Sequence, residues 1–149
     1  MKEFQNIRKI IRTKHNCVII YYTYIMTKQI LSEEVEDYVK KNPKSVLLDV
    51  RTEEEWNSDG KPDGEKIALK IHFITIQFVD KTFNQNFIED FKKLNIEKDH
   101  EILTMCMGGV RSQSTAELLT KEGYNCVNIS DGFLGNSENS GWKNSGLPC

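Results

Sequence analysis

The chain has 149 residues, enough for a single domain with an ordinary buried core. Hydrophobic residues at 38% and charged residues at 28% suit a soluble globular protein, and the net charge of −2 argues against a nucleic-acid surface or an acidic tail. No basic stripe with interleaved aromatics occurs, so nucleic acid is set aside as a partner.

The stretch "MKEFQNIRKIIRTKHNCVIIYYTYIMTKQI" starts basic and then runs apolar from Cys17 to Met26. That run is too short to span a bilayer and gives no firm evidence for a membrane. Three readings are open for residues 1–25: a signal peptide without a small-x-small cleavage site, an edge strand or extension, or sequence upstream of a natural start at Met26. The third is preferred. Under each of them residues 1–25 lie outside the chemistry, and residues 26–149 are expected to form one domain.

From Thr27 onward, strand-like and helix-like stretches alternate. "SEEVEDYVKKNP" predicts a helix capped by Ser32, with Val35, Tyr38 and Val39 on one face and Pro43 as its stop. "SVLLDV" is a continuous apolar run, as in a strand covered on both faces. "TEEEW" opens a helix in which Thr52 and Glu55 have capping-box spacing. "GKPDG" is a turn, and "KIALKIHFITI" is β-rich. "NQNFIEDFKKL" places Phe87, Phe91 and Leu94 at helical spacing, and "EILTMC" is a second buried strand. "SQSTAELLTKEG" reads as a helix with Ala116, Leu118 and Leu119 inward and Gly123 as its stop, and "CVNIS" is a last strand. This alternation predicts an α/β fold with a mainly parallel central sheet flanked by helices on both faces. Sites in such sheets sit at the carboxyl ends of strands, which is where Cys106 falls.

The segment "CMGGVRS" carries chemistry. Gly108 and Gly109 let the backbone curl so that successive N–H groups point inward, and a helix opens directly afterwards. A cysteine in that nest should have a lowered pKa, and Arg111 adds a fixed positive charge that closes the loop. A bland alternative is a structural cysteine before a Gly-Gly turn, which accounts poorly for the arginine. Four residues, Met107 to Val110, separate Cys106 from Arg111. A phosphatase loop of the tyrosine-specific type is one residue longer, so Ser112 stands where its arginine would be. The shorter cup suits a terminal sulfur atom and is cramped for a tetrahedral phosphate, which favours sulfur transfer.

In these residues the chain resembles the rhodanese-like domain family, over roughly Ser32 to Pro148. "VLLDVRTEEEW" is similar to the family's first signature, "CMGGVRS" to its active-site loop, and "GFLGNSENSGWKNSGLP" to its ending. The resemblance implies a sulfurtransferase in which Cys106 carries a persulfide. Met107, Gly108, Gly109, Val110, Arg111 and Ser112 would form the anion-binding loop. It implies a small sulfane-sulfur donor such as thiosulfate and a thiol or cyanide-like acceptor, with a protein acceptor as a further option. No cofactor and no metal are implied. The sequence departs from the family where "SDGKPDGEKIALKI" replaces a histidine-containing stretch, and where Asp131 begins "SDGF" in place of a Gly-Gly pair. The alternatives are a non-catalytic module of the same fold, which would usually lack the cysteine, and a phosphatase or arsenate-reductase-like enzyme.

Asp49 and Arg51 flank a strand end near the loop. They either fix the loop through a charge-assisted hydrogen bond, from a loop N–H or Arg111 to Asp49, or form a plain ion pair. The four cysteines, Cys17, Cys106, Cys126 and Cys149, have neither CxxC nor zinc-ligand spacing, so a disulfide framework is not expected and a reducing, cytoplasmic location is. Cys126 reads as core and Cys149 as a terminal residue. His15, His72 and His100 have no evident partner, and Trp56 and Trp142 read as packing residues.

Overall fold

The computed structural model describes residues 26–149 in full and, before them, the backbone of residues 7–14 and 17–24. The latter form two antiparallel strands, β1 (Ile7–Lys14) and β2 (Cys17–Tyr24), paired with each other. The N-terminal readings rest on residues whose side chains lie outside the described part.

The remaining strands are β3 (Lys28–Ile30), β4 (Ser45–Asp49), β5 (Lys70–Phe73), β6 (Glu101–Met105) and β7 (Asn125–Ile129). They form one five-stranded sheet in the order β3-β7-β6-β4-β5, parallel at every pairing. The helices are α1 (Val35–Lys41), α2 (Glu53–Asp59), α3 (Phe87–Lys93), α4 (Val110–Lys121) and α5 (Gly141–Asn144). A parallel sheet needs cover on both faces, and alternation along the strands supplies two apolar surfaces. Leu47, Leu103, Met105, Val127 and Ile129 point to one face and pack with Val35 and Val39 of α1 and Trp142 of α5. Val46, Leu48 and Ile102 point to the other and pack with Phe87 and Phe91 of α3 and Leu119 of α4. The predicted α/β architecture with helices on both faces is the one observed.

Several elements follow from local chemistry as expected. In α2 the capping box is complete: Thr52 Oγ1 accepts from the Glu55 N–H at 3.2 Å, and Glu55 Oε2 accepts from the Thr52 N–H at 2.7 Å. Asn42, placed before Pro43, leaves helical geometry at φ −126° and ends α1.

Three details differ. Ser32 does not cap α1. A short 3-10 turn, Ser32–Glu34, precedes that helix, and the buried Ser32 hydroxyl donates to Asp131 Oδ1 at 2.8 Å. β3 was not anticipated, because three residues at a sheet edge are too short to show a period. The β-rich stretch 66–76 yields only the four residues of β5, since a 3-10 turn at Glu65–Ile67 and a left-handed Ala68 (φ 54°) interrupt it. Ile74 and Ile76 leave the ladder, yet their N–H groups donate to the Asp49 and Val50 carbonyls at 3.2 Å each. That keeps the departing chain beside the carboxyl end of β4.

Candidate active site

β6 delivers Cys106 to the carboxyl end of the sheet, with its residue 1% exposed. The chain then turns through Met107 and Gly108 to Gly109, whose φ of 99° is left-handed. A Cβ at Gly109 would lie 2.0 Å from the Ser130 carbonyl oxygen, so only glycine fits. This turn aims the Gly109 N–H at Cys106 Sγ, at 3.2 Å. Ser112 Oγ stands 3.3 Å from the same sulfur and 3.2 Å from the Gly109 carbonyl, so its one proton can serve either.

α4 starts at Val110, two residues earlier than the sequence pattern suggested. Its Gln113 N–H donates to the Gly109 carbonyl at 3.2 Å. The N–H groups of Val110, Arg111 and Ser112 therefore precede the intrahelical ladder, at the positive end of the helix. Cys106 Sγ takes the Gly109 N–H just before that end and has the Ser112 hydroxyl beside it.

A second segment supports the loop from β7. The Phe133 N–H donates to the Cys106 carbonyl at 2.8 Å, and the Leu134 N–H to the Met107 carbonyl at 3.1 Å. The two backbones approach so closely that a Cβ at Gly132 would lie 2.5 Å from the Met107 oxygen. Asp131 anchors this segment, accepting from the Ser32 N–H at 2.9 Å and the Gly141 N–H at 3.0 Å. Asp131, noted in the sequence only as a departure from the family pattern, is thus a structural tie. Asn128, 2% exposed on β7, donates from Nδ2 to the Gly109 carbonyl at 3.1 Å and to Gln29 Oε1 at 2.8 Å. Sequence reading missed Asn128; the signal for it was an amide inside the apolar run of a strand.

Arg111 is paired. Its Nη1 and Nη2 donate to Glu55 Oε2 and Oε1 at 2.9 and 2.7 Å, a bidentate fork with both side chains 24% exposed. Glu55 Oε2 also takes the Thr52 N–H, so one carboxylate caps α2 and holds the loop arginine. Burial pushes the Glu55 carboxyl up, and its hydrogen bonds to Arg111 and Thr52 outweigh that, holding it below the usual range. The Glu55 hydrogen bond raises the Arg111 guanidinium; burial opposes this, and the charges of Glu55, Cys106 and Asp49 add to it. The capping-box spacing marked Glu55, but nothing local in the sequence marked its second partner.

Of the two readings for Asp49 and Arg51, the geometry is that of the ion pair. Both side chains are fully buried, with Arg51 Nη2 2.8 Å from Asp49 Oδ2. Arg51 Nε donates to both Asp49 oxygens at 3.1 Å, and Nη2 also donates to the Gly60 carbonyl at 3.0 Å. Among the described residues, no hydrogen bond joins Asp49 to the Cys106 loop or to Arg111. The pair reaches the loop indirectly: the Arg51 guanidinium stacks 3.8 Å from the Phe133 ring centroid, and the Phe133 backbone holds Cys106.

Met107 is half-buried, Gly108 is partly open, and Val110 is 79% exposed. Cys126 is half-buried on β7, its thiol pushed up to about 11 by burial. Cys149 is exposed, and neither it nor Cys126 nor Cys106 is in a disulfide. His72 is half-buried on β5, and His100 Nδ1 lies 3.0 Å from Asp99. Trp142 is fully buried with its Nε1 donating to the Pro148 carbonyl at 2.7 Å, and Trp56 packs edge-on against Phe73. Among the described residues, no cluster of His, Cys, Asp or Glu could hold a metal ion, and no helix is long and apolar enough to cross a membrane.

The chain is similar to an uncharacterized protein of Rickettsia prowazekii, 36% identical over 126 residues that cover 83% of this chain and 98% of that one. The crystal structure of Rv0390 from M. tuberculosis superposes with a TM-score of 0.73 at 30% identity, covering 83% of this chain and 97% of the other. A rhodanese-like domain protein from Staphylococcus aureus shares the fold, with a TM-score of 0.56 at 22% identity over 81% and 96% of the two chains. The model of the rhodanese-like domain matches residues 31–138, which include β4, β6, the whole Cys106 loop and the Asp131 tie. The chain belongs to the rhodanese-like domain family.

Proposed function

We propose that this protein is a sulfurtransferase that carries sulfane sulfur on Cys106. The observation that supports this most is the short cup at Cys106. Its Sγ takes the Gly109 N–H at 3.2 Å and lies 3.3 Å from Ser112 Oγ, in a loop with four residues between cysteine and arginine. The donors converge on one sulfur atom and can follow the charge when a second sulfur is added.

In the first half-reaction the Cys106 thiolate attacks the outer sulfur of a donor. A new S–S bond forms, the donor's own bond to that sulfur breaks, and the leaving group departs with the electron pair. With thiosulfate, the simplest such donor, the leaving group is sulfite. In the second half-reaction an acceptor thiolate or cyanide attacks the terminal sulfur, and Cys106 leaves as thiolate. The backbone N–H groups of the cup bind negative charge on either sulfur without a proton transfer. A reducing compartment such as the cytoplasm fits a carrier whose thiol must be regenerated, and the three described cysteines are unpaired.

Intact-protein mass spectrometry tests this reading. Incubation with a sulfane donor is expected to add the mass of one sulfur atom, mapped to Cys106, and cyanide is expected to remove it as thiocyanate. Cys106→Ser should neither load nor transfer. Hydrolysis of a chromogenic phosphate ester by the parent, with no sulfur loading, would replace this reading with the phosphatase one.

A further inference from the structure

We infer that the site is built for an alkyl persulfide donor, R–S–S⁻, in preference to the thiosulfate dianion; this rests on the sulfurtransferase reading above.

Charge carries the argument. Arg111 is the sole cation between Cys106 and Ser112. Two of its five N–H donors go to the Glu55 carboxylate, at 2.7 and 2.9 Å, so its charge is matched within the pair. The other guanidinium at this end of the sheet, Arg51, is fully buried against Asp49 at 2.8 Å. Lys143, on the neighbouring α5, is turned to the Asp59 carbonyl at 2.6 Å. Each guanidinium is therefore matched by a carboxylate, and the groups that hydrogen-bond the reacting sulfur are one backbone N–H and one hydroxyl. An incoming dianion carries a sulfonate, and the charges of Arg111 and Arg51 are already matched by Glu55 and Asp49. That costs desolvation without compensation and adds repulsion from the thiolate.

The rim adds to this. Val110, 79% exposed, opens α4 directly after the cup. Leu134, 37% exposed, is tied by its N–H to the Met107 carbonyl at 3.1 Å. Met107 and Val110 lie in the loop and Leu134 is tied to it, so partly exposed apolar side chains stand on and beside the loop. The carbon stem of an alkyl persulfide matches that surface, and the sulfonate of thiosulfate does not.

The step balances with no further reactant. Cys106–S⁻ attacks the outer sulfur of R–S–S⁻, the donor's S–S bond breaks, and R–S⁻ leaves with the electron pair. Cys106–S–S⁻ remains, and the total charge is unchanged.

Glu55→Gln provides the test. Glutamine keeps the oxygen that caps α2 but removes the carboxylate charge facing Arg111. Loading of Cys106 is followed by rapid-quench mass spectrometry with cysteine persulfide, with a persulfidated cysteine in an unstructured peptide, and with thiosulfate. The parent is expected to load from both persulfides at least about tenfold more efficiently than from thiosulfate, and the two persulfide arms tell a free from a chain-borne source. The variant should gain several-fold in kcat/KM for thiosulfate, mostly through KM, with no gain for the persulfides; this change in ratio corrects for the donors' intrinsic reactivity. In the parent, added salt should speed thiosulfate loading more than persulfide loading, because the dianion meets twice the repulsion of the monoanion; this arm needs no variant. Equal use of thiosulfate and persulfide by the parent, or an unchanged ratio in the variant, overturns the inference. Failure to load from any donor overturns the sulfurtransferase reading itself.

Discussion

The side-chain amide of Asn128 donates to the carbonyl of Gly109 at 3.1 Å, and the N–H of Gly109 donates to Cys106 Sγ at 3.2 Å. A residue on β7 thus fixes the orientation of the glycine that serves the sulfur. The Gly109 oxygen is an acceptor whatever the state of its surroundings, which sets the amide orientation with Nδ2 toward it. Asn128→Asp keeps the shape but sets a buried acceptor against an acceptor. Leaving a buried polar group unpaired costs about 1–3 kcal/mol. Cys106 loading is expected to slow by about tenfold or more, the equivalent of about 1.4 kcal/mol. Asn128→Ser should fall between the two. A loading rate equal to the parent's in both variants, with melting temperature lowered, would make Asn128 a purely structural residue.

Much of this was legible locally. "SVLLDV" and "EILTMC" are continuous apolar runs because β4 and β6 are central strands buried on both faces, and the pattern of a covered strand is written in its own residues. The Cys-x-Gly-Gly-x-Arg loop was readable because glycine, cysteine and helix start occur within a few residues. What could not be read depends on residues far apart in the chain. Glu55 and Arg111 are separated by 56 positions, and Ser32 and Asp131 by 99. Ser32 has the residue type of a helix cap, but a buried aspartate competes for its hydroxyl and wins. Asp49 and Arg51 were visible as a pair, yet their link to the loop passes through the Phe133 ring, which no spacing encodes.

The two loop glycines should differ sharply. At Gly109 a Cβ would lie 2.0 Å from the Ser130 oxygen and 2.7 Å from its carbon, both backbone atoms, and φ is 99°. The left-handed conformation alone costs a non-glycine residue about 1–2 kcal/mol, before any displacement of β7. At Gly108 a Cβ would meet only the Gly135 oxygen at an ordinary 3.5 Å. Gly109→Ala is expected to lower the melting temperature by several degrees and to abolish loading, whereas Gly108→Ala should change stability little. Differential scanning calorimetry with the loading assay separates them; equal behaviour would contradict the loop geometry.

The Asp49–Arg51 pair is fully buried and sits beside the loop's support. Removing one partner leaves an uncompensated charge in the core, which costs about 3–5 kcal/mol. Asp49→Ala should therefore destabilise strongly in urea titration. Arg51→Met together with Asp49→Leu should recover much of that loss, because the site then holds no charge. Loading should stay impaired in the double variant, since the guanidinium stacked on Phe133 is gone. Full recovery of loading would show that the pair does not support the loop.

Acid sensitivity should show at His72. Burial lowers its pKa, and the Lys70 charge adds to that. The sign follows from linkage: the folded state binds the proton less readily than the unfolded chain. The stabilising contribution is present above the ordinary value of about 6.5 and is lost as pH falls below it. The melting temperature should fall as pH drops from about 6.5, ahead of any carboxylate titration. His72→Gln should flatten that part of the profile and leave the steeper decline at lower pH, where Glu55 protonates and its fork to Arg111 opens. An unchanged profile in His72→Gln would assign the early decline to another group.

The last expectation concerns residues 1–25. Among the described residues, both apolar cores run between Ile30 and Leu147, and the rhodanese-like match begins at residue 31. β1 and β2 pair with each other, and neither has a place in the order of the five-stranded sheet. β3 closes that sheet on β7 from Lys28 onward, and its Ile30 carbonyl takes the Ser130 N–H at 2.9 Å beside the site. We therefore expect a chain that starts at Met26 to fold with an unchanged melting temperature and to load Cys106 at the full-length rate. A chain that starts at Ser32 should lose both, because it removes β3 and Gln29, the second partner of the Asn128 amide. Circular dichroism melts and the loading assay on the two truncations check this. A Met26 chain that aggregates or fails to load would place residues 1–25 within the working domain.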